Sequence, residues 1–272
     1  MTDQPNSASS SFVVTKEYRR FAEFCDACRR YRYIGLCYGP PGVGKTLSAR
    51  HYSRWDELEQ HIEQTIDKTI SEEVLDRRSV FYTPMVDASL KKLWENISNL
   101  CNSFKRLTEN AYANDHKAPL TFGFPPSETE LFIIDEADRL KTQAIDLVRD
   151  CYDRHLFGSL ILIGMPGIEK RLARYPQFYS RIGFVHQFRP LSPEEVRFLF
   201  EHQWQQLGIQ LQPSDFSDAE ALSAIIRITG GNFRLMQRLC TQIERILQIN
   251  EQQLITKEVV EAARENLVIG QV

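Results

Sequence analysis

The segment Gly39-Pro40-Pro41-Gly42-Val43-Gly44-Lys45-Thr46 constrains the fold of this chain more than any other. It fits the pattern G-x-x-x-x-G-K-[ST] at every fixed position, and its flanks have the character that pattern needs. "YIGLCY" before it reads as a short buried strand and "TLSARHYSRW" after it as a helix. A strand that enters a glycine-rich turn and leaves as a helix aims several backbone N–H groups and the positive end of a helix dipole at one spot. That arrangement cradles phosphates. Gly39 to Thr46, with Leu47 next in the helix, are therefore the candidate nucleotide contacts. Lys45 is placed to reach the β- and γ-phosphates, and Thr46 to offer its hydroxyl to Mg2+.

Far downstream stands "ELFIIDEADRLK", where the apolar run Leu131 to Ile134 has strand character and ends in Asp135 and Glu136. In a phosphate-loop fold the acid that works with Mg2+ sits at the tip of a strand beside the loop strand, and Asp135 fits that role. Glu136 is then expected to point toward the γ-phosphate and to orient or deprotonate the attacking water. Two motifs in this order make ATP and Mg2+ the expected ligands. The adjacent Asp-Glu pair suits hydrolysis better than transfer to a small molecule.

Bulk properties narrow the class further. Hydrophobic residues make up 42% of 272 residues and charged residues 25%, as in ordinary globular proteins. The longest apolar run is about six residues, near Leu160–Met165, too short to span a bilayer, which needs about 20. The polar start "MTDQPNSASSS" reads as a disordered tail over residues 1–11 and not as a secretory signal. Cys25 and Cys28 form a Cys-x-x-Cys pair with no second pair to complete a zinc set. They repeat with Phe21 and Phe24 at helical spacing, so buried reduced thiols and a cytoplasmic location are expected. Net charge is −3, yet Arg139 to Arg189 holds nine Lys/Arg against four Asp/Glu, which predicts a locally positive surface or a solvated face.

Between the two motifs, Ser79–Val86 reads as a strand and Ser89–Leu107 as an amphipathic helix. In that helix Leu90, Leu93, Trp94, Ile97, Leu100, Cys101, Phe104 and Leu107 are expected on one face. Lys91, Lys92 and Arg106 fall opposite, with Lys105 on the flank, either as nucleic-acid backbone contacts or as a solvated face. Residues 110–128 read as a loop. After the acidic pair come a helix, the strand "SLILIGMPG", a short basic helix and the strand "GFVHQF"; from Pro193 onward the chain reads as about four helices. The expected organisation is an α/β nucleotide-binding domain with a parallel central sheet over residues 12–190. A small all-helical lid follows over 191–272.

This order of parts resembles an AAA+ ATPase over nearly the whole chain. The resemblance implies a polar sensor at the end of the strand after the Asp-Glu pair, but Ile163-Gly164-Met165-Pro166 offers no Asn, Ser or Thr there. It implies an arginine finger, supplied to a neighbouring subunit's ATP, at Arg181 with Arg174 as second choice. It also implies a lid arginine at Arg234 in "GGNFRLMQRL". Within AAA+ proteins, "LFIIDEADRLK" and "GNFRLMQRL" are similar to the transposition ATPases of the TniB and TnsC type and the B protein of phage Mu. That likeness implies a homo-oligomer, a head-to-tail ring or a helical filament, assembled with ATP around double-stranded DNA without sequence preference. It further implies that the assembly marks a target for a transposase and answers to a target-selection factor, and that hydrolysis drives disassembly. A helicase loader or replication initiator, and an ATPase of a secretion or signalling apparatus that never meets DNA, are the alternatives. The first is expected to carry a winged helix after the lid and the second a membrane or wall-binding segment.

Overall fold

The computed structural model describes residues 12–63, 70–114, 128–202 and 219–267, so the expected N-terminal tail lies outside the described residues. They form two compact units. Of the described residues, those within 18–40 and 45–188 make one unit, and those within 12–17, 41–44 and 189–267 the other.

The larger unit is built on five parallel strands: β1 (Ile34–Tyr38), β2 (Ser79–Tyr82), β3 (Leu131–Ile134), β4 (Ser159–Gly164) and β5 (Ile182–Gln187). Their order is β2-β3-β4-β1-β5, with Cys37 opposite Ile163 and Ile133 opposite Ile161. Strands covered on both faces read as unbroken apolar runs, and all four residues of β3 are buried. Because every strand runs the same way, the C-terminal ends of β1, β3 and β4 share one edge, where ligands of open α/β sheets bind.

α1 (Lys16–Tyr31) precedes the first strand, and helices fill the crossovers: α2 (Lys45–Tyr52), α3 (Trp55–Glu63), α4 (Glu72–Arg77), α5 (Leu90–Asn114), α6 (Thr142–Asp153), α7 (Ile168–Leu172) and α8 (Pro176–Tyr179). On α1, Phe21, Phe24, Cys25 and Cys28 are all buried and both thiols are free. Burial pushes the Cys28 thiol up to about 12, so it stays protonated. The helix lies so close to β1 that a Cβ on Gly35 would stand 2.7 Å from the Phe24 ring. Among the described residues no helix is long and apolar enough to cross a membrane, and no group of three or more His, Cys, Asp and Glu side chains is placed to hold a metal ion.

Four local expectations are corrected. The helix after the glycine-rich loop stops at Tyr52, where Arg54 takes a left-handed φ of 52° and α3 starts afresh at Trp55. The strand expected to reach Val86 ends at Tyr82; Pro84 two residues on has no N–H for a ladder bond. α5 runs on to Asn114, past the expected loop start, and residues 115–127 lie outside the described residues. Its buried stripe is Leu93, Ile97, Cys101 and Phe104, whereas Leu90 and Trp94 are each 40% exposed. Leu90 stands in the first turn and Trp94 is 100° round the helix from Leu93, beyond the surface the stripe packs on.

The smaller unit holds α9 (Pro193–His202), α10 (Ala219–Thr229), α11 (Phe233–Ile249) and α12 (Lys257–Glu265). Their starts follow the sequence signals. Ser192 and Glu195 exchange bonds as a capping box, and Thr256 and Asn232 cap α12 and α11. Each cap is worth about 1 kcal/mol. Met236, Leu239, Cys240, Ile243 and Leu247 line one side of α11 and join a core with Val196, Phe200, Ile225 and Val260. Gly230 and Gly231 turn the chain between α10 and α11 with φ of 55° and 76°, a conformation that costs other residues about 1–2 kcal/mol.

Candidate nucleotide site

The loop between β1 and α2 has the backbone its letters demand. Gly42 and Gly44 sit at φ of 79° and 106°, where glycine pays no steric penalty. Lys45, 9% exposed, opens α2, and its ammonium donates to the carbonyls of Gly39 (2.5 Å) and Pro40 (2.8 Å). It is thus folded over the loop itself, with the Met165 sulfur 4.0 Å away at the end of β4. Leu47 faces outward, 64% exposed.

From β3 comes the second half. The Thr46 hydroxyl donates to Asp135 Oδ2 at 2.6 Å, although the two are 89 residues apart in sequence. Asp135 is 3% exposed, and its other oxygen accepts the Glu136 N–H at 2.8 Å. No lysine or arginine pairs with it among the described residues. A buried carboxylate held only by a hydroxyl and one amide is short of positive charge, and with the Thr46 oxygen it offers the hard oxygen donors that Mg2+ takes. The pair therefore fits the ion.

Glu136 carries a left-handed φ of 48° just past the strand. Non-glycine residues held there cost about 1–3 kcal/mol and cluster at functional sites. Its carboxylate is half exposed and pairs with Arg139, whose guanidinium also donates to the Pro84 carbonyl at 2.9 Å. Two further residues went unremarked in the sequence. Asp138 accepts the Met165 N–H at 2.7 Å, at the place where β4 lacks a polar side chain, and Arg171 donates to the carbonyls of Asp138 and Leu140. Arg139 was findable as the i+3 partner of Glu136; the Asp138 contact was not, because it depends on β3 and β4 being neighbours.

Arg181 lies at the far end of the same sheet. Its carbonyl accepts from Ile34 N, the first residue of β1, so about 17 Å of chain separates it from the loop that starts at Gly39. An arginine there serves no phosphate bound to its own loop. Its guanidinium is bidentate to Asp153, at 2.7 and 2.9 Å, and also meets the Gln177 carbonyl. Arg174 is exposed, with no side-chain partner among the described residues. Other basic residues of the 139–189 segment are paired too: Lys141 with Asp87, Arg149 with Asp146, Arg154 with Asp150.

Within the smaller unit, the loop tip meets the start of α11. Asn232 Nδ2 donates to the Pro41 carbonyl at 2.7 Å and Arg234 N to that of Gly42 at 3.2 Å. A Cβ at Gly42 would stand 2.6 Å from Asn232 Oδ1, so this position requires glycine on steric as well as conformational grounds. Val43 is buried there, and the Arg234 side chain is exposed. On α5, Lys91 and Lys92 share Glu95 at 4.0 Å, and Lys105 has Glu109 at 3.9 Å; Arg106 is exposed and has no partner among the described residues.

An AAA domain family model matches residues 28–172. A "Potential ATP-binding protein" of Staphylococcus aureus is 46% identical over 270 residues, covering 96% of this chain and 98% of that one. Solved structures share the fold at low identity. The RuvB Holliday junction branch migration motor of Thermotoga maritima has a TM-score of 0.57 at 16% identity, covering 95% of this chain and 71% of its own. The Aeropyrum pernix ORC1 protein, solved in complex with DNA, gives 0.56 at 18%, covering 96% and 67%. The ORC2 protein of the same organism gives 0.61 at 13%, covering 99% and 72%. The five-stranded parallel sheet with its glycine-rich loop is the AAA+ phosphate-loop ATPase fold, and with more than half of its residues matched the chain belongs to the AAA-domain family.

Proposed function

We propose that this protein is an ATP-dependent, DNA-binding regulator of transposition that assembles head-to-tail on duplex DNA. The observation that carries nucleotide hydrolysis is the meeting of Thr46 and Asp135 beside Lys45. In the proposed step Lys45 holds the β- and γ-phosphates, and Thr46 with Asp135 would hold the Mg2+, which would supply positive charge beside them. Glu136 accepts a proton from the water whose oxygen attacks the γ-phosphorus as the bond to the β-phosphate oxygen breaks. Arg234 contacts the phosphates from the helical unit.

The DNA and transposition readings are supported by the likeness of "LFIIDEADRLK" and "GNFRLMQRL" to the TniB, TnsC and phage Mu B proteins. Fold neighbours that include a branch migration motor and a DNA complex support it as well. Lys91, Lys92, Lys105 and Arg106 are the proposed phosphate contacts on α5. A transposase and a target-selection factor are the proposed partners.

Assembly is proposed to require Arg181 from the neighbouring subunit, which exchanges Asp153 for the γ-phosphate. The exchange gives up a partly buried, bidentate pair for a phosphate that a guanidinium also binds bidentately. Arg181→Ala is therefore expected to leave ATP binding by the monomer unchanged and to prevent ATP-dependent assembly, read by sedimentation velocity. Normal assembly of Arg181→Ala together with its loss in Arg174→Ala would move the finger to Arg174. Assembly intact in both variants would remove the arginine finger from the mechanism.

A further inference from the structure

One surface of the helical unit carries charge beyond the Arg234 that the proposed mechanism uses: Arg238 and Arg245 have no role in it. On α11, Arg234, Arg238 and Arg245 are all exposed. At 100° per residue they fall within about 40° of one another, a straight line that rises about 16 Å along the helix. None of the three has a side-chain partner among the described residues. Three other exposed cations of the unit do have acidic partners: Arg227 and Arg264 share Glu261, and Lys257 has Glu220. The lysines of α5 likewise sit beside Glu95 and Glu109.

Nothing acidic interrupts the line. The one carboxylate of α11 is Glu244, about 100° round the helix from its neighbour Arg245 and half-buried. The exposed neighbours on the same face are Thr241, the amides of Gln237 and Gln248, and the apolar Ile249 at the helix end. Two guanidiniums without carboxylate partners among the described residues, flanked by a hydroxyl and amides, are matched in charge and in donor chemistry by phosphates. Arginine's fork binds phosphate bidentately, and amide side chains are regular phosphate contacts. Arg238 and Arg245 stand about 10 Å apart along the helix, far enough to meet separate phosphates of the backbone.

We propose that this face of α11 is a second contact for the sugar-phosphate backbone of duplex DNA, carried by Arg238 and Arg245 outward from Arg234. The inference rests on the reading that the protein binds DNA, and it adds a surface on the helical unit to the one proposed on α5. Contacts of this kind fix register without reading sequence.

The test compares wild type, Arg238→Gln/Arg245→Gln and Arg238→Lys/Arg245→Lys on a labelled random-sequence duplex, with a slowly hydrolysed ATP analogue and over a series of salt concentrations. Loss of two phosphate contacts is expected to weaken binding about tenfold or more at low salt. It should lower the slope of log K against log salt by about 1.8, while the lysine variant keeps the slope of wild type. ATP turnover without DNA should be the same in all three. A glutamine variant with wild-type affinity and slope overturns the α11 surface and leaves the DNA reading standing. If that variant instead binds DNA normally but fails to self-associate, the arginines belong to a contact with a second copy and the proposal falls. Wild-type protein that binds no duplex in any nucleotide state overturns the DNA reading and this surface together.

Discussion

Lys45→Ala is expected to weaken ATP binding by about 10²-fold or more. Two charge-assisted bonds to phosphate, at about 1.5–3 kcal/mol each, sum to at least 3 kcal/mol, and every 1.4 kcal/mol is a factor of ten in Kd. DNA loading should disappear with it. The side chain is 9% exposed and holds the Gly39 and Pro40 carbonyls, so truncation also removes two internal bonds. Lys45→Met keeps the apolar stem and isolates the charge. Titration with a fluorescent ATP analogue, alongside a thermal melt, separates the two effects. Both variants should lose binding, and Lys45→Met should melt closer to wild type. ATP binding at wild-type affinity by Lys45→Met would remove Lys45 from the phosphate site.

Glu136→Gln is expected to behave differently, keeping ATP and DNA bound while turnover falls by about 10²–10⁴, the contribution of a positioned general base. Competing against this is the pair with Arg139, which Glu136 must leave in order to act. Both partners are partly exposed and three residues apart on one turn, so the pair is worth about 1 kcal/mol at most. A tenfold rate range corresponds to 1.36 kcal/mol, so loss of the base outweighs release of the latch. Glutamine also matches glutamate in size at the left-handed φ of 48°, so the variant leaves the backbone as it is. Single-turnover hydrolysis and the lifetime of the DNA-bound state are the readouts. Unchanged turnover would take the base role away from Glu136.

What the sequence showed and what it hid divides along contact range. The loop was legible because its glycines, lysine and threonine act within eight residues, and the conformation needed at Gly42 and Gly44 is written in the residue type. β3 was legible because a strand buried on both faces has to be apolar throughout. The starts of α9, α11 and α12 were legible because their caps are local.

Where partners come from distant elements, residue type and spacing fell short. Nothing in "ADRLK" tells that Asp138 receives an N–H from the end of β4, or that Arg181 is met by Asp153 twenty-eight residues earlier. The break at Arg54 was hidden because no glycine or proline marks it. Trp94 was misplaced because periodicity gives the direction of a side chain, not the width of the surface awaiting it. The line of arginines on α11 is visible in sequence as a spacing. That its members lack carboxylate partners required the packed helices around it.

The measurement that bears most directly on the account is binding of a labelled duplex without nucleotide, with ADP and with a slowly hydrolysed ATP analogue, at two salt concentrations and two duplex lengths. The account predicts binding only with the ATP analogue, falling steeply with salt and strengthening with length, as a polymer held by phosphate contacts must. Equal binding in all three nucleotide states, or none in any state while ATP is still hydrolysed, would contradict it.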